Sequence, residues 1–116
     1  MPPREAAATG LPVIATAWSG MEQDIEHWAL PLAVKELRPA AFGHWEPGDV
    51  GEWAEPDRDH LVELMRHCVQ NRDDAAAAGT RAAAWLATNT PWDRTARGLM
   101  TLAAMTEVTQ EAVYAD

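Results

Sequence analysis

Four groups of residues carry side chains able to do chemistry. Glu5 leads a short helix-favouring run, where a rigidly held carboxylate offers two acceptor oxygens at fixed spacing. Thr16, Ser19 and Gly20 follow a short apolar run and supply two hydroxyls and an unobstructed backbone. His60, Glu63 and His67 fall at i, i+3 and i+7 of a helical pattern, a face on which two imidazoles and a carboxylate can hold a metal. Trp18, Trp28, Trp45 and Trp53 are flat apolar surfaces of the kind on which a sugar or base stacks.

Each group also has a plain structural reading. Glu5 fits a helix surface, and Ser19 fits a helix N-cap. The histidine face, opposite the apolar stripe, fits a solvated surface, and most of the tryptophans fit core packing. His27 and His44 are isolated in sequence and carry no signal. The acidic residues form no recognisable acid/base pair, and no nucleophile stands out, so no residue is assigned a catalytic role.

The elements that must position these groups begin with a helix end. Residues 1–9 read as the last turns of a helix opening abruptly at Pro2-Pro3. Gly10 suits the C′ position, where a left-handed conformation carries no steric cost, and Pro12 cannot continue the helix. Val13 to Thr16 is apolar and unalternating, as expected of a strand buried on both faces of a parallel sheet. Ligands of open α/β sheets collect at the carboxyl ends of such strands, which places Thr16 to Gly20 where binding is expected. Ser19 with Glu22 matches the capping-box pattern and predicts a short helix over Gly20–Glu26.

Ala29 to Val34 is a candidate second strand that Pro31 demotes to an edge or irregular extended segment. Lys35 to Trp53 carries Pro39, Gly43, Pro47, Gly48 and Gly51, and reads as a long loop with at most short strands. Asp57 can cap a helix whose stripe is Leu61, Leu64, Met65, Cys68 and Val69. An alanine-dense helix starts at Asn71 or Asp73, with Trp85 and Leu86 closing its packing face. Thr90-Pro91-Trp92-Asp93 supplies cap, N1 proline and N3 carboxylate for a last helix reaching about Val113, with Leu99, Leu102, Ala103 and Val108 on its apolar side.

The run Glu5-Ala6-Ala7-Ala8-Thr9-Gly10-Leu11-Pro12-Val13-Ile14-Ala15-Thr16-Ala17-Trp18-Ser19-Gly20 resembles the pattern E-A-M-A-x-G-x-P-V-I-A-T-x-x-S/G-G. That pattern belongs to retaining glycosyltransferases of the GT-B fold, the group 1 or family 4 set. Gly51-Glu52-Trp53-Ala54-Glu55-Pro56-Asp57 and Trp92-Asp93-Arg94-Thr95-Ala96 also look like this family, so the resemblance covers most of the chain.

The resemblance implies an α/β fold, the C-terminal part of a doubly wound, Rossmann-like GT-B domain, helix-rich with one or two short parallel strands. Residues 1–54 would be a partial nucleotide-sugar-binding segment with its long loop, and 55–116 the C-terminal helices of the same domain. Glu5 would accept hydrogen bonds from the ribose hydroxyls of a nucleotide-sugar donor, and Thr16, Ser19 and Gly20 would line the donor cleft. Such enzymes need no bound metal or other cofactor, because helix termini and basic side chains offset the diphosphate charge. One departure stands out: the family pairs two glutamates separated by seven residues, and Glu5 aligns with the second. The first, with the Gly-rich loop, would fall before Met1. The chain is therefore expected to be a fragment or truncated product, inactive without an N-terminal domain.

Composition sets the outer limits. The chain has 116 residues, 47% hydrophobic and 23% charged, with a mean hydropathy of −0.29. Its net charge of −9, with a pI near 4.7 and no basic stripe, argues against nucleic acid as a partner. The same charge leaves nucleotide-sugars open, since local basic groups and helix N-termini meet a diphosphate. No apolar run approaches a membrane span and no leader-like segment opens the chain, so a cytoplasmic setting is expected. Cys68, the single cysteine, is expected to be a buried thiol. The competing functional class is a non-catalytic, acidic, α-rich module that docks on a protein through exposed tryptophans and alanine-rich helices.

Overall fold

A computed structural model describes residues 2–40 and 51–113, with side chains as far as Ala104. The element order is α1 (Pro2–Ala8), β1 (Ile14–Thr16), a 3-10 turn (Ser19–Met21), α2 (Ile25–Trp28), β2 (Leu30–Leu32), β3 (Val34–Pro39), β4 (Glu52–Pro56), α3 (Arg58–Gln70), α4 (Arg72–Asn89) and α5 (Trp92–Val113). The class is mixed α/β.

Helix α1 stops where the sequence says it must. Gly10 has φ +86, Gly10 N–H donates to the Ala7 carbonyl at 3.0 Å, and Leu11 N–H reaches the Ala6 carbonyl at 3.4 Å. These are the paired bonds of a Schellman motif, which satisfy carbonyls that the helix end leaves open. The chain then reverses into β1, which pairs in parallel with β2 in the register Ile14–Leu30, Ala15–Pro31 and Thr16–Leu32. Leu30 N–H and Leu32 C=O form bonds to the β1 side, to Val13 and Ala17. Pro31 between them therefore needs no donor toward β1 and is tolerated at the edge of a two-stranded sheet.

The core is small. Ala7, Ala15, Ile25, Trp28, Ala82 and Leu86 form one buried cluster, with Val13, Ala17, Met21, Ala29 and Trp85 packed partly against it. Helix α4 contributes a buried stripe of Ala75, Gly79, Ala82 and Leu86, and α1 and α2 lie on it. The approach is closest at Gly79, where an added Cβ would lie 2.1 Å from the Gly10 carbonyl oxygen. The helix-ending turn of α1 thus rests directly on α4.

Several local expectations need correction. Ser19 does not cap a helix: it sits at φ +55 inside the 3-10 turn, whose N-cap is Trp18 with no side-chain bond. The expected Gly20–Glu26 helix is instead that turn followed by α2, because Asp24 also adopts a left-handed backbone at φ +56 and interrupts the winding. The expected 35–53 loop holds two strands. β3 and β4 pair antiparallel from Glu36–Glu55 to Pro39–Glu52, with an irregularity after Val34. Thr90 turns its hydroxyl back to the Leu86 carbonyl at 2.9 Å and closes α4 rather than capping α5.

Helix α3 starts at the expected cap: the Asp57 carboxylate accepts from the N–H groups of Asp59 and His60 at 2.9 and 3.1 Å. Its stripe is only half covered, with Met65 at 54% and Val69 at 65% exposure, and Cys68 is half-buried rather than buried. Among the described residues of α5, every side chain from Trp92 to Ala104 is exposed. No described helix is long and apolar enough to cross a membrane.

Candidate functional site

The first turn of α1 reaches the segment that follows β1. Arg4 fixes this arrangement. Its guanidinium lies 5.0 Å above the Trp28 ring, and its Nη2 donates to the Gln23 carbonyl at 3.0 Å. The Trp28 indole N–H donates to the same carbonyl at 3.3 Å. One backbone oxygen in the segment after β1 is thereby held by α1 and by α2 together. A cation over an indole face inside such a partly dry contact is attracted by the ring quadrupole. This junction was not legible as a site, since Arg4 and Trp28 are far apart in sequence.

Glu5 is exposed in the same first turn. Because each helical residue is rotated by about 100° from the last, Arg4 and Ala7 share the face toward the core while Glu5 and Ala8 face aside. Glu5 and Ala8 line a cleft of about 560 Å³ with Asn89, Thr90, Trp92 and Arg94, formed where α4 gives way to α5. The cleft, which Arg4 also lines, therefore brings a carboxylate, two arginines and an indole together. Trp92 stands 86% exposed on its rim.

Thr16, Ser19 and Gly20 do not line that cleft. Thr16 is half-buried as the last residue of β1, and its carbonyl accepts from Trp18 N–H at 2.9 Å. Ser19 and Gly20 are exposed beyond it. The candidate residues thus form two separate groups: Glu5 in the cleft with residues of α4 and α5, and Thr16 to Gly20 at and beyond the end of β1. Of the residues that complete the cleft, Trp92 and Arg94 stood in the sequence only in a helix-start pattern and in the Trp92–Ala96 stretch of the family resemblance, with no site role.

The remaining candidates separate cleanly. Trp28 is 1% exposed and belongs to the core, so it is not a stacking surface. Trp18 is half-buried, Trp53 is 44% exposed in β4, and Trp45 lies outside the described residues, as do Phe42 and His44. His60 does not share a solvated face with Glu63 and His67. It is half-buried, and its Nδ1 accepts the Ala33 N–H at 3.0 Å, which fixes the proton on Nε2 and ties α3 to the β2–β3 link. His67 Nδ1 lies 3.2 Å from the Asn71 amide on the exposed side of α3. Among the described residues, no group of three histidines, cysteines or carboxylates is placed to hold a metal. His27 stacks on Trp85 with ring centroids 5.0 Å apart.

Compared with known proteins, the chain matches no family model, no curated protein and no solved structure.

Proposed function

We propose that this chain is the C-terminal, nucleotide-sugar-binding portion of a retaining glycosyltransferase of the GT-B type, and that it acts together with a second domain. The observation that carries the reading is the geometry of its motif. A helix with a carboxylate in its first turn ends at a glycine in the left-handed region and reverses into a short parallel strand. The first turn is tied by Arg4 to Gln23, in the segment that follows the strand.

In this reading Glu5 accepts two hydrogen bonds from the ribose diol, while Thr16, Ser19 and Gly20, which lie outside the cleft at Glu5, meet the donor from the strand exit. A carboxylate suits a vicinal diol because its two oxygens accept side by side. The chain itself supplies donor-facing side chains, which make a competent donor site only together with the facing domain. Transfer would depend on holding donor and acceptor in one closed cleft and on stabilising the departing phosphate, which requires the facing domain. Helix α5, exposed along its described length, is the surface that such a domain would cover.

The gene provides the simplest test. An open frame upstream of Met1 encoding a Gly-rich turn, with a glutamate eight positions before Glu5, supports the reading; an unrelated gene ending there counts against it. The same exposed helix also fits a different class. Trp92, Leu99, Met100 and Leu102 are 62% to 86% exposed on α5, as expected of a non-catalytic module that docks on another protein. Nucleotide-sugar binding that depends on Glu5 separates the two, because the docking module gives none.

A further inference from the structure

The cleft at Glu5 holds three side chains that the ribose contact does not use: Asn89, Trp92 and Arg94, where α4 gives way to α5. The Asn89 amide nitrogen donates to the Trp85 carbonyl at 2.9 Å, which orients the side chain and leaves its Oδ1 an acceptor. Arg94 donates through Nη1 to the Asn89 carbonyl at 3.2 Å, which holds the guanidinium at this corner and leaves Nε and Nη2 as donors. Trp92 stands 86% exposed on the rim and presents an indole face. The neighbouring Asp93 carboxylate is bonded by Arg97. Arg4 and Arg94 against Glu5 give the cleft lining a local positive excess within a chain of net charge −9, as an anionic ligand requires.

We propose that these three residues read the base of the nucleotide and that the base is guanine: the ring stacks on Trp92, Arg94 donates to O6 and N7, and Asn89 Oδ1 accepts from N1–H. The inference rests on the donor reading, in which Glu5 takes the ribose of the same nucleotide. Base and ribose are bonded to each other, so one cleft must meet both, and a volume of about 560 Å³ is that of an ordinary small-molecule site. Guanine presents two acceptors side by side on one edge, and a guanidinium presents donors at the same spacing. Adenine sets an amino donor where guanine has O6, so donor would face donor. Uracil offers a single oxygen on that edge and a smaller ring to the indole. Stacking on an aromatic side chain holds any base, so Trp92 supplies affinity while Arg94 and Asn89 supply the choice.

Calorimetric titration of GDP, UDP and ADP into the longest polypeptide that the gene encodes tests it, as the parent and as Trp92→Ala, Arg94→Gln and Glu5→Gln. GDP should bind about fivefold or more tighter than either UDP or ADP. Trp92→Ala should weaken GDP by about fivefold or more, and Arg94→Gln should bring GDP and ADP within about threefold of each other. Trp92 and Arg94 are both exposed, so neither substitution disturbs the core, and an unchanged circular dichroism spectrum verifies this. GDP binding that Glu5→Gln weakens but Trp92→Ala and Arg94→Gln leave unchanged overturns the base site and keeps the ribose reading. The opposite pattern keeps the base site and removes the ribose contact. A smaller preference for GDP, or no binding of GDP at about 1 mM, also overturns the proposal.

Discussion

At the scale of single residues, two contacts decide whether α1 is held against the rest of the fold. Gly79 is the first. A Cβ there would meet the Gly10 carbonyl oxygen at 2.1 Å and the Leu11 carbonyl carbon at 2.8 Å, and both obstacles are backbone. Gly79→Ala should therefore cost about 2–3 kcal/mol, despite the better helix propensity of alanine, and a urea titration should show the loss. Arg4 is the second: Arg4→Ala removes the bond to Gln23 and the contact with Trp28, and should lower stability by about 1–2 kcal/mol while speeding amide exchange in residues 19–24.

Titration of Glu36 gives a further check at this scale. The bonded Arg38 guanidinium holds the Glu36 carboxyl below its ordinary value of 4.5, mostly through the hydrogen bonds and then through charge. A carboxyl depressed in the folded state contributes stability that is present above the ordinary value and is lost as pH falls through the depressed one. Both groups are fully exposed, so the contribution to stability is slight. Carboxyl-detected NMR should find Glu36 titrating below its ordinary value, and Arg38→Gln should raise it toward that value.

At the scale of elements, what was legible is what local chemistry fixes. Gly10 and Pro12 fixed the end of α1, and Asp57 fixed the start of α3, because each acts on backbone groups within a few residues. Asp57→Ala should accordingly cost about 1 kcal/mol, read as an earlier urea midpoint with an unchanged slope. The hairpin was not legible. The apolar residues of Lys35 to Arg38 and Glu52 to Glu55, Leu37, Trp53 and Ala54, are split between the two faces, so no alternation of apolar and polar residues marks these stretches as strands. Ser19 had the right type and spacing for a capping box, yet its own left-handed backbone makes the cap impossible.

The half-legible elements are instructive for the same reason. The stripe of α3 was read correctly as periodic, but periodicity does not say what covers it, and Met65 and Val69 remain largely in solvent. The histidine face failed because Ala33, brought alongside by tertiary structure, offers His60 a backbone donor. Of the candidate site, the strand exit at Thr16 to Gly20 followed from a sheet rule that needs only chain order. The cleft beside Glu5 depends on where α5 begins against α1, which no short-range pattern encodes.

At the scale of the whole molecule, the fold is open. The Cα radius of gyration is 20.0 Å, whereas a compact chain of this length is expected at about 13 Å. Helix α5 stands with its large apolar side chains in solvent, and both described sheets have only two strands. Two-stranded sheets are marginal by themselves, and an open edge invites pairing with another chain. The 116-residue chain should therefore melt with low cooperativity and give no detectable saturation transfer from UDP- or GDP-sugars. A sharp two-state transition with matching calorimetric and van't Hoff enthalpies would show that the open surfaces need no cover.

The most direct measurement is donor binding by the longest polypeptide that the gene encodes, titrated with UDP-glucose and GDP-mannose as the parent and as Glu5→Gln. Binding of one donor, with saturation transferred to its ribose protons and an affinity loss of about tenfold or more in Glu5→Gln, is the expected result. Donor binding that Glu5→Gln leaves unchanged, or the absence of binding to either donor, would contradict a ribose-facing role for the first turn of α1.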